Sequence, residues 1–160
     1  MNLTTLLCAV AVAGGQGTAS DTLLDQSIRD LYAAISGPKG QPRDEVKLRG
    51  VLLPDCRLGM PRTRDGVTTL ATMTVDQYIS RNFPVMEREG FEERELARRT
   101  ERFGSIAHIW SSFETRMGET TSRGINTIQC LFDGTRWRVV SILWDNEGPG
   151  KALPTDMAGG

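Results

Sequence analysis

Residues 103–145 read FGSIAHIWSSFETRMGETTSRGINTIQCLFDGTRWRVVSILWD, and their pattern is the strongest indication of the fold class. It predicts three consecutive antiparallel strands: a long strand, a loop rich in Gly, Thr and Ser, and two strands joined by a tight hairpin at Asp133-Gly134. Apolar side chains fall on both alternating faces of these strands, whereas a sheet with one solvated face carries them on one side only. Both faces of the predicted sheet therefore need cover.

Helical periodicity precedes the strands. An apolar stripe at i, i+4, i+7 and i+11 predicts a first helix over residues 22–36, and Pro42 marks the start of a second helix that ends before Pro54. A short hairpin and a third helix capped by Thr74 come next, followed by a strand over residues 91–102. Helices first and antiparallel strands after them predict an α+β domain.

Composition and motifs exclude several classes of function. A chain of 160 residues suits one domain, and its formal net charge of −1 gives no basic surface for nucleic acid or for stable insertion into an anionic membrane. Cys56 and Cys130 lack CxxC spacing and His108 is the only histidine, so the sequence predicts no zinc site. Two separate buried thiols are the prediction for the cysteines, and a Cys56–Cys130 bridge in an oxidising compartment is the alternative. Dinucleotide, phosphate-loop and hydrolase motifs are missing from the sequence as well. We therefore expect no cofactor.

The two ends differ from the middle in composition. Residues 3–13 form an uncharged, mostly apolar run followed by small residues, which predicts a secretory signal peptide over residues 1–20 and a periplasmic or secreted protein. A disordered leader on a cytoplasmic protein is the alternative, since no Lys or Arg stands near Met1. The Gly- and Pro-rich residues 147–160 predict a disordered tail, which leaves residues 22–146 as the folded domain.

Three short motifs occur in the order found in one known superfamily. They are VLLPDCRL at residues 51–58, FGSIAH at residues 103–108 and GTRWRVVS at residues 134–141. With the element order, they resemble the nuclear transport factor 2-like superfamily, which includes SnoaL-like polyketide cyclases and ketosteroid isomerases. The resemblance implies a cone-shaped, curved antiparallel sheet with three N-terminal helices packed on its concave face. This superfold hosts enzymes and inert binders alike.

The same resemblance places one face of the sheet in a pocket. Strand alternation, with a two-residue turn at Asp133-Gly134, divides the side chains between the concave and the convex face. We expect the convex face to pack against a second copy in a homodimer. Apolar walls with a few polar groups are typical of a site for a small hydrophobic ligand, and the alternative is a simple core. The candidate ligand-binding residues are Arg98, Ile109, Ser111, Phe113, Thr127, Gln129 and Trp144.

Ketosteroid-isomerase chemistry requires a carboxylate base, a tyrosine and a protonated acid. By the resemblance, the base position falls on Met60 and the tyrosine position on Leu31, with Tyr32 one step round the helix. The second acid falls on Ile125 or Thr127. These side chains cannot perform the proton transfers, so we expect no isomerase activity of that type and assign no catalytic residue.

Two functions stay open from the sequence. One is a small-molecule-binding or scaffold domain of the SnoaL-like type with an apolar pocket. The other is a lyase, cyclase or isomerase of the same superfold that acts on a small hydrophobic, oxygenated substrate, with Arg98 or His108 as the acid–base or polarising group. A titratable group with a partner in the pocket favours the enzyme, whereas a pocket holding only Ser, Thr and Gln favours the binder.

Overall fold

The computed structural model describes residues 15–159, with side chains from Ser20 onward. The apolar run of the predicted leader, residues 3–13, lies outside the described residues. Among those described, no helix is both long and apolar enough to cross a membrane. The elements in chain order are α1 (Gly15–Ile35), α2 (Glu45–Val51), β1 (Leu52–Arg64), β2 (Val67–Met73), α3 (Val75–Glu89), β3 (Phe91–Phe103), β4 (Ile106–Met117), β5 (Thr120–Phe132), β6 (Trp137–Asn146) and a final 3-10 turn (Thr155–Met157).

The α+β class predicted from the sequence is confirmed, and the local signals explain the helices. The predicted apolar stripe of α1 is buried in the core. Helix α3 begins with a capping box, in which the Thr74 hydroxyl accepts from the Gln77 amide and the Gln77 side chain accepts from the Thr74 amide. Gly90 ends α3 with a φ of 76°, a conformation that glycine adopts without a Cβ clash.

Six strands form one sheet in the order β2-β1-β6-β5-β4-β3. All neighbours run antiparallel except β1 and β6, which pair in parallel, so the sheet is mixed rather than wholly antiparallel as predicted. Helices α1, α2 and α3 pack against one face, here called the inner face. Irregularities in β1, β3 and β6 bend the strands around this face, which gives the curvature of a cone.

The register between β4 and β5 differs from the sequence prediction by one residue. A two-residue turn, 118–119, joins the strands, so Ser111 lies opposite Asn126. Thr127 and Gln129 were predicted on the inner face with Ser111, and this is wrong because a slip of one residue turns every side chain of a strand to the other face. Asn126 takes the inner position, and Gln129 is exposed on the outer face.

The connection between β5 and β6 is also longer than predicted. Four residues, 133–136, form the loop, because the Asp133 carboxylate accepts hydrogen bonds from the backbone amides of Thr135 and Arg136. These bonds also lower the pKa of Asp133 to about 2. An Asx-type turn therefore replaces the expected two-residue hairpin.

A β-bulge then changes the alternation within β6. Cys130 pairs with Val139, but the pairing shifts by one beyond it, so that Ile128 lies opposite Ile142. Val139 and Ile142 are consequently both buried on the inner face although they are three residues apart. The bulge also keeps Trp144 on the inner side, as predicted.

Residues 147–159 pack on the domain, which corrects the prediction of a disordered tail. Glu147 anchors the segment, since its carboxylate accepts from the Arg123 guanidinium over 2.8 Å and from the Leu153 backbone amide over 2.7 Å. Met157 is only 1% exposed and Asp156 pairs with Arg99 of β3. Glycine and proline in this segment form turns rather than an unstructured chain.

Cys56 and Cys130 are both buried and both carry free thiols. Burial raises the pKa of each thiol to about 12. Thiols held in this state are poor nucleophiles, in keeping with the prediction of two separate core cysteines.

Candidate functional site

A cavity of about 350 Å³ lies between the helices and the inner face of the sheet. Every helix and every strand except β2 contributes to its wall. Met117 and Thr120, at the tip of the β4–β5 hairpin, are exposed and lie at one end of it. The wall is mainly apolar, and its polar members are Tyr32, Tyr78, Asn82, Glu93, Thr115, Thr120, Ser122, Asn126 and Asn146.

Glu93 is the carboxylate of this wall. It lies on β3, where the Ser36 hydroxyl fixes its backbone by accepting from the Glu93 amide over 3.0 Å and donating to the Glu93 carbonyl over 3.2 Å. The side chain of Asn126 reaches it from β5 and donates from Nδ2 to Oε1 of Glu93 over 3.0 Å. In the described part of the chain, Oε2 of Glu93 has no hydrogen-bond partner.

Burial dominates the ionisation of Glu93. Although the residue as a whole keeps some exposure, burial of its carboxyl group raises its pKa to about 7, against 4.5 for an ordinary glutamate. The hydrogen bond from Asn126 opposes this rise because it stabilises the ionised form. Glu93 therefore changes between acid and base near neutral pH.

Two tyrosine hydroxyls face the same region from the helices. Tyr32 of α1 bonds to the Ser111 hydroxyl over 2.7 Å and accepts from Asn126 over 3.1 Å. Tyr78 of α3 lines the cavity, and its hydroxyl has no hydrogen-bond partner among the residues described. Burial, and then the charge of Glu93, raises the pKa of both phenols, which places both near that carboxyl and keeps them protonated.

A polar groove on the outside meets the cavity at Glu93. Glu93 and Thr115 line both spaces, and the groove continues past Ser36, Arg94 and Glu114. The Glu93 carboxyl thus stands between an apolar interior and solvent.

The structure brings together part of the predicted site. Phe113 and Trp144 line the cavity. Ser111 is fully buried behind the cavity wall, where it bonds Tyr32, and Ile109 is fully buried in the core. Arg98 stays outside the lining, because it is ion-paired with Glu95 and with Asp25 of α1, each over 2.6 Å.

His108 and Thr127, together with Gln129, lie away from the cavity. His108 pairs with Glu101 and Gln129 on the neighbouring strands and stacks edge-on against Trp110, with ring centroids 6.4 Å apart. Neither of the acid–base groups that the sequence suggested, Arg98 and His108, therefore belongs to the cavity wall.

The residues that sequence reasoning missed are Glu93, Asn126, Tyr78 and Tyr32 as a cavity group. Glu93 was missed because it stands among acidic and basic residues of β3, a composition that is typical of a solvated strand. The alternation of β3 nevertheless turns Glu93 inward and its neighbour Arg94 outward. The positions that the resemblance assigned to the isomerase base, tyrosine and second acid do not all belong to the cavity. Met60 and Leu31 line the cavity as apolar side chains, and Ile125 borders a different groove.

Comparison with known proteins gives matches at the level of structure. No family model and no curated protein matches the chain. An NTF-2-like protein of unknown function from Silicibacter pomeroyi is 15% identical, with a TM-score of 0.61 over 82% of this chain and 99% of that one. The LinA-type3 hexachlorocyclohexane dehydrochlorinase from Novosphingobium barchaimii is 12% identical, with a TM-score of 0.63 over 82% and 89%. A candidate scytalone dehydratase from Novosphingobium aromaticivorans is 9% identical, with a TM-score of 0.64 over 89% and 94%.

The protein has the nuclear transport factor 2-like fold: an α+β cone whose helices and curved sheet enclose a cavity. The fold that the sequence resemblance implied is thereby confirmed. Structural similarity at 9–15% sequence identity shows the architecture alone, whereas any chemistry depends on the side chains of the cavity.

Proposed function

We propose that the protein binds a small, largely apolar, oxygenated molecule in this cavity and acts on it as a lyase or isomerase, with Glu93 as the general base. One observation carries the proposal: a carboxylate with a free oxygen stands in the wall of an apolar cavity of about 350 Å³. A titratable group with a partner in the pocket is the feature that separates an enzyme from a passive binder in this fold.

The ionisation of Glu93 suits proton transfer at neutral pH. A general base works best when its pKa lies near the working pH, and that of Glu93 is about 7. The free Tyr78 hydroxyl can donate a hydrogen bond to an oxygen of the bound molecule. Glu93 then removes a proton from the carbon beside a carbonyl, and the electron pair moves into the carbonyl, whose oxygen Tyr78 stabilises.

Two outcomes follow from that intermediate. In an isomerase Glu93 returns the proton to another carbon. In a lyase the electron pair expels a leaving group from the next carbon, and Glu93 releases its proton to solvent through the outer groove that it shares with Thr115. Two of the similar structures bear the names of a dehydrochlorinase and a dehydratase, which are elimination enzymes, and this supports the lyase form.

Binding without catalysis is the second candidate function. It is favoured by the apolar side chains at the positions of the isomerase base and tyrosine, Met60 and Leu31, both of which line the cavity. On this view Glu93 and Tyr78 orient a ligand by hydrogen bonds and no proton moves.

Deuterium exchange separates the two functions. A panel of small cyclic ketones is incubated with the protein in D2O, and loss of the α-proton signal is followed by NMR, with binding measured in the same samples. We expect exchange with at least one ketone, and a loss of about 100-fold or more in Glu93→Gln. The control is Glu92→Gln, which removes the neighbouring exposed carboxylate of β3. Binding without exchange contradicts catalysis on carbonyl compounds, and equal exchange in Glu93→Gln contradicts the role of Glu93.

We also propose that the outer face of the sheet is a homodimer interface. Ile106, Leu131 and Leu143 stay exposed there, by 59%, 37% and 39%. Exposed apolar side chains on a face that α1, α2 and α3 leave uncovered are typical of a surface that packs against a partner.

A further inference from the structure

The polar side chains behind the cavity form a single hydrogen-bonded chain. Its order is Glu95, Ser111, Tyr32, Asn126 and Glu93. The distances are 2.5 Å from Ser111 Oγ to Glu95 Oε1, 2.7 Å from Tyr32 Oη to Ser111 Oγ, 3.1 Å from Asn126 Nδ2 to Tyr32 Oη and 3.0 Å from Asn126 Nδ2 to Glu93 Oε1. The chain joins a carboxylate near the surface to the carboxyl group of the cavity.

The ion pair of Glu95 with Arg98 determines which atom donates in each hydrogen bond of the chain. Arg98 binds Glu95 through Nε over 2.8 Å and through a terminal nitrogen over 2.6 Å, and an ion-paired carboxylate only accepts hydrogen bonds. Ser111 has one hydroxyl proton and gives it to Glu95. The hydrogen bond between Ser111 and Tyr32 needs one proton, and that of Ser111 is already donated to Glu95. Tyr32 is therefore the donor, and the Ser111 oxygen accepts.

The same reasoning fixes the amide of Asn126. The single proton of Tyr32 is committed to Ser111, so Tyr32 can only accept from Asn126. The amide therefore turns its NH2 group, and not its carbonyl oxygen, toward Tyr32, and the second N–H of that group points at Glu93. An amide donor stabilises an ionised carboxylate, whereas an amide oxygen would favour the protonated acid.

We propose that the Glu95–Ser111–Tyr32 chain makes Asn126 a positioning residue, by locking its amide with the N–H toward Glu93 and so holding that carboxyl in its proton-accepting form. The inference deepens the proposed function and rests on it for its biological meaning. The geometry itself concerns only the protonation of Glu93 and requires no substrate.

Other groups near Glu93 act on it as charges or dipoles and do not fix the direction of the chain. On its own strand these are Glu92 and Arg94, which forms an ion pair with Glu114 of β4 over 2.9 Å. Arg116 of β4 pairs with Glu92 over 3.5 Å. The remaining groups that face Glu93 are the phenols of Tyr32 from α1 and Tyr78 from α3.

Removing Ser111 tests the chain without a change of charge. In Ser111→Ala the Tyr32 proton loses its acceptor and turns to Asn126, so that the amide flips and presents its oxygen to Glu93. The expected result is a rise of about one pH unit in the titration midpoint of Glu93, the equivalent of one charge-assisted hydrogen bond. Thr115→Ala is the matched control, because it removes a hydroxyl from the residue opposite Glu93 on β4 and lies outside the chain.

Glu95→Ala is a second, independent variant. In it the loss of a negative charge and the reversal of the hydrogen-bonded chain shift the titration midpoint of Glu93 in opposite directions. Loss of a negative charge by itself lowers the midpoint of Glu93, as expected for the control Glu114→Ala, whose carboxylate is likewise paired with an arginine. In Glu95→Ala the Ser111 proton is released and can turn toward Tyr32, so the chain reverses and the midpoint rises. This variant decides the question even if Ser111→Ala does not fold.

The measurement is a carboxyl-carbon NMR titration of the full chain labelled at glutamate, with the Glu93 signal assigned by its loss in Glu93→Gln. A raised midpoint in Ser111→Ala and in Glu95→Ala, with no rise in either control, supports the chain. An unchanged midpoint in Ser111→Ala, or a midpoint in Glu95→Ala that falls as far as in Glu114→Ala, overturns it. Since no ligand is used, this result is independent of the deuterium-exchange test of the proposed function.

Discussion

Asn126 Nδ2 lies 3.0 Å from Glu93 Oε1 and joins strand β5 to strand β3 across the strand between them. This contact is the only hydrogen bond to the Glu93 carboxyl within residues 15–159. A buried carboxylate that accepts one hydrogen bond is poorly stabilised as an ion, which is why its pKa is raised to about 7. A purely structural residue at this position would be apolar at lower cost in stability.

The first prediction concerns stability and pH. The folded pKa of Glu93 lies above the ordinary value of 4.5, so between about pH 4.5 and 7 the folded state holds a proton that the unfolded chain releases. The stability that Glu93 contributes is therefore present at low pH and is lost as the pH rises through 7. Glu93→Gln should be more stable than the wild type at pH 8, by at most about 3 kcal/mol, and equal to it near pH 4. Urea unfolding at both pH values measures this, and parallel stability curves for the two proteins would be inconsistent with a perturbed Glu93.

The second prediction concerns Tyr78. Its free hydroxyl is the donor that we place on the oxygen of the bound ketone, so Tyr78→Phe should slow deuterium exchange by about 10- to 100-fold with a smaller effect on binding. The titration midpoint of Glu93 should stay near its wild-type value, which shows that the base is intact. Asn82→Ala, a change on the same helix and in the same wall, is the control. Exchange at the wild-type rate in Tyr78→Phe would exclude the hydroxyl from the reaction.

The third prediction concerns the outer face. We expect a dimer by analytical ultracentrifugation at micromolar concentration, and a monomer for Leu143→Glu, because a charge in the middle of an apolar interface is left without a partner. Val46→Glu is the matched control, since Val46 is 84% exposed on α2 and lies away from the outer face. A wild-type monomer at this concentration would contradict the proposed interface.

The fourth prediction concerns the C-terminal segment. Met157 is 1% exposed, so Met157→Ala should cost about 2–4 kcal/mol in the free energy of unfolding, the usual range for a large side chain removed from a core. Asp156→Asn, which weakens only an exposed ion pair with Arg99, should cost far less than Met157→Ala. Equal effects of the two substitutions in urea unfolding would show that the segment does not pack on the domain.

The sequence predicted the architecture well because the helices carry local signals. The stripe of α1, the Thr74 cap and the order of elements are all contained in short windows of residues. The parallel pairing of β1 with β6 joins residues far apart in the chain, and nothing local to either strand indicates it.

The site was predicted less well for reasons of register. Periodicity gives the two faces of a strand, but the relation between neighbouring strands depends on the length of each turn and on bulges. Because of the turn at 118–119, Asn126 faces inward and Thr127 and Gln129 face outward. The bulge in β6 places Trp144 on the inner side. Phe113 and Ser111 both lie on the inner face, as predicted, because they share one uninterrupted strand, although only Phe113 lines the cavity.

Glu93 was missed for a different reason. A glutamate in a run of mixed charges is usually solvated, and only the packing of α1 on β3, with Tyr78 of α3 beside Glu93, shows that this one is enclosed. Burial of a charge depends on tertiary contacts, and no property of the residue type indicates it.

The role of Glu93 as a base depends on one value, the titration midpoint of its carboxyl group in the wild-type protein. Carboxyl-carbon NMR between pH 4 and 9, without ligand, should show a midpoint near 7, as its burial in the cavity wall requires. A midpoint near 4.5, the value of an ordinary glutamate, would rule out Glu93 as the base, because the carboxyl would then be solvated and not matched to neutral pH.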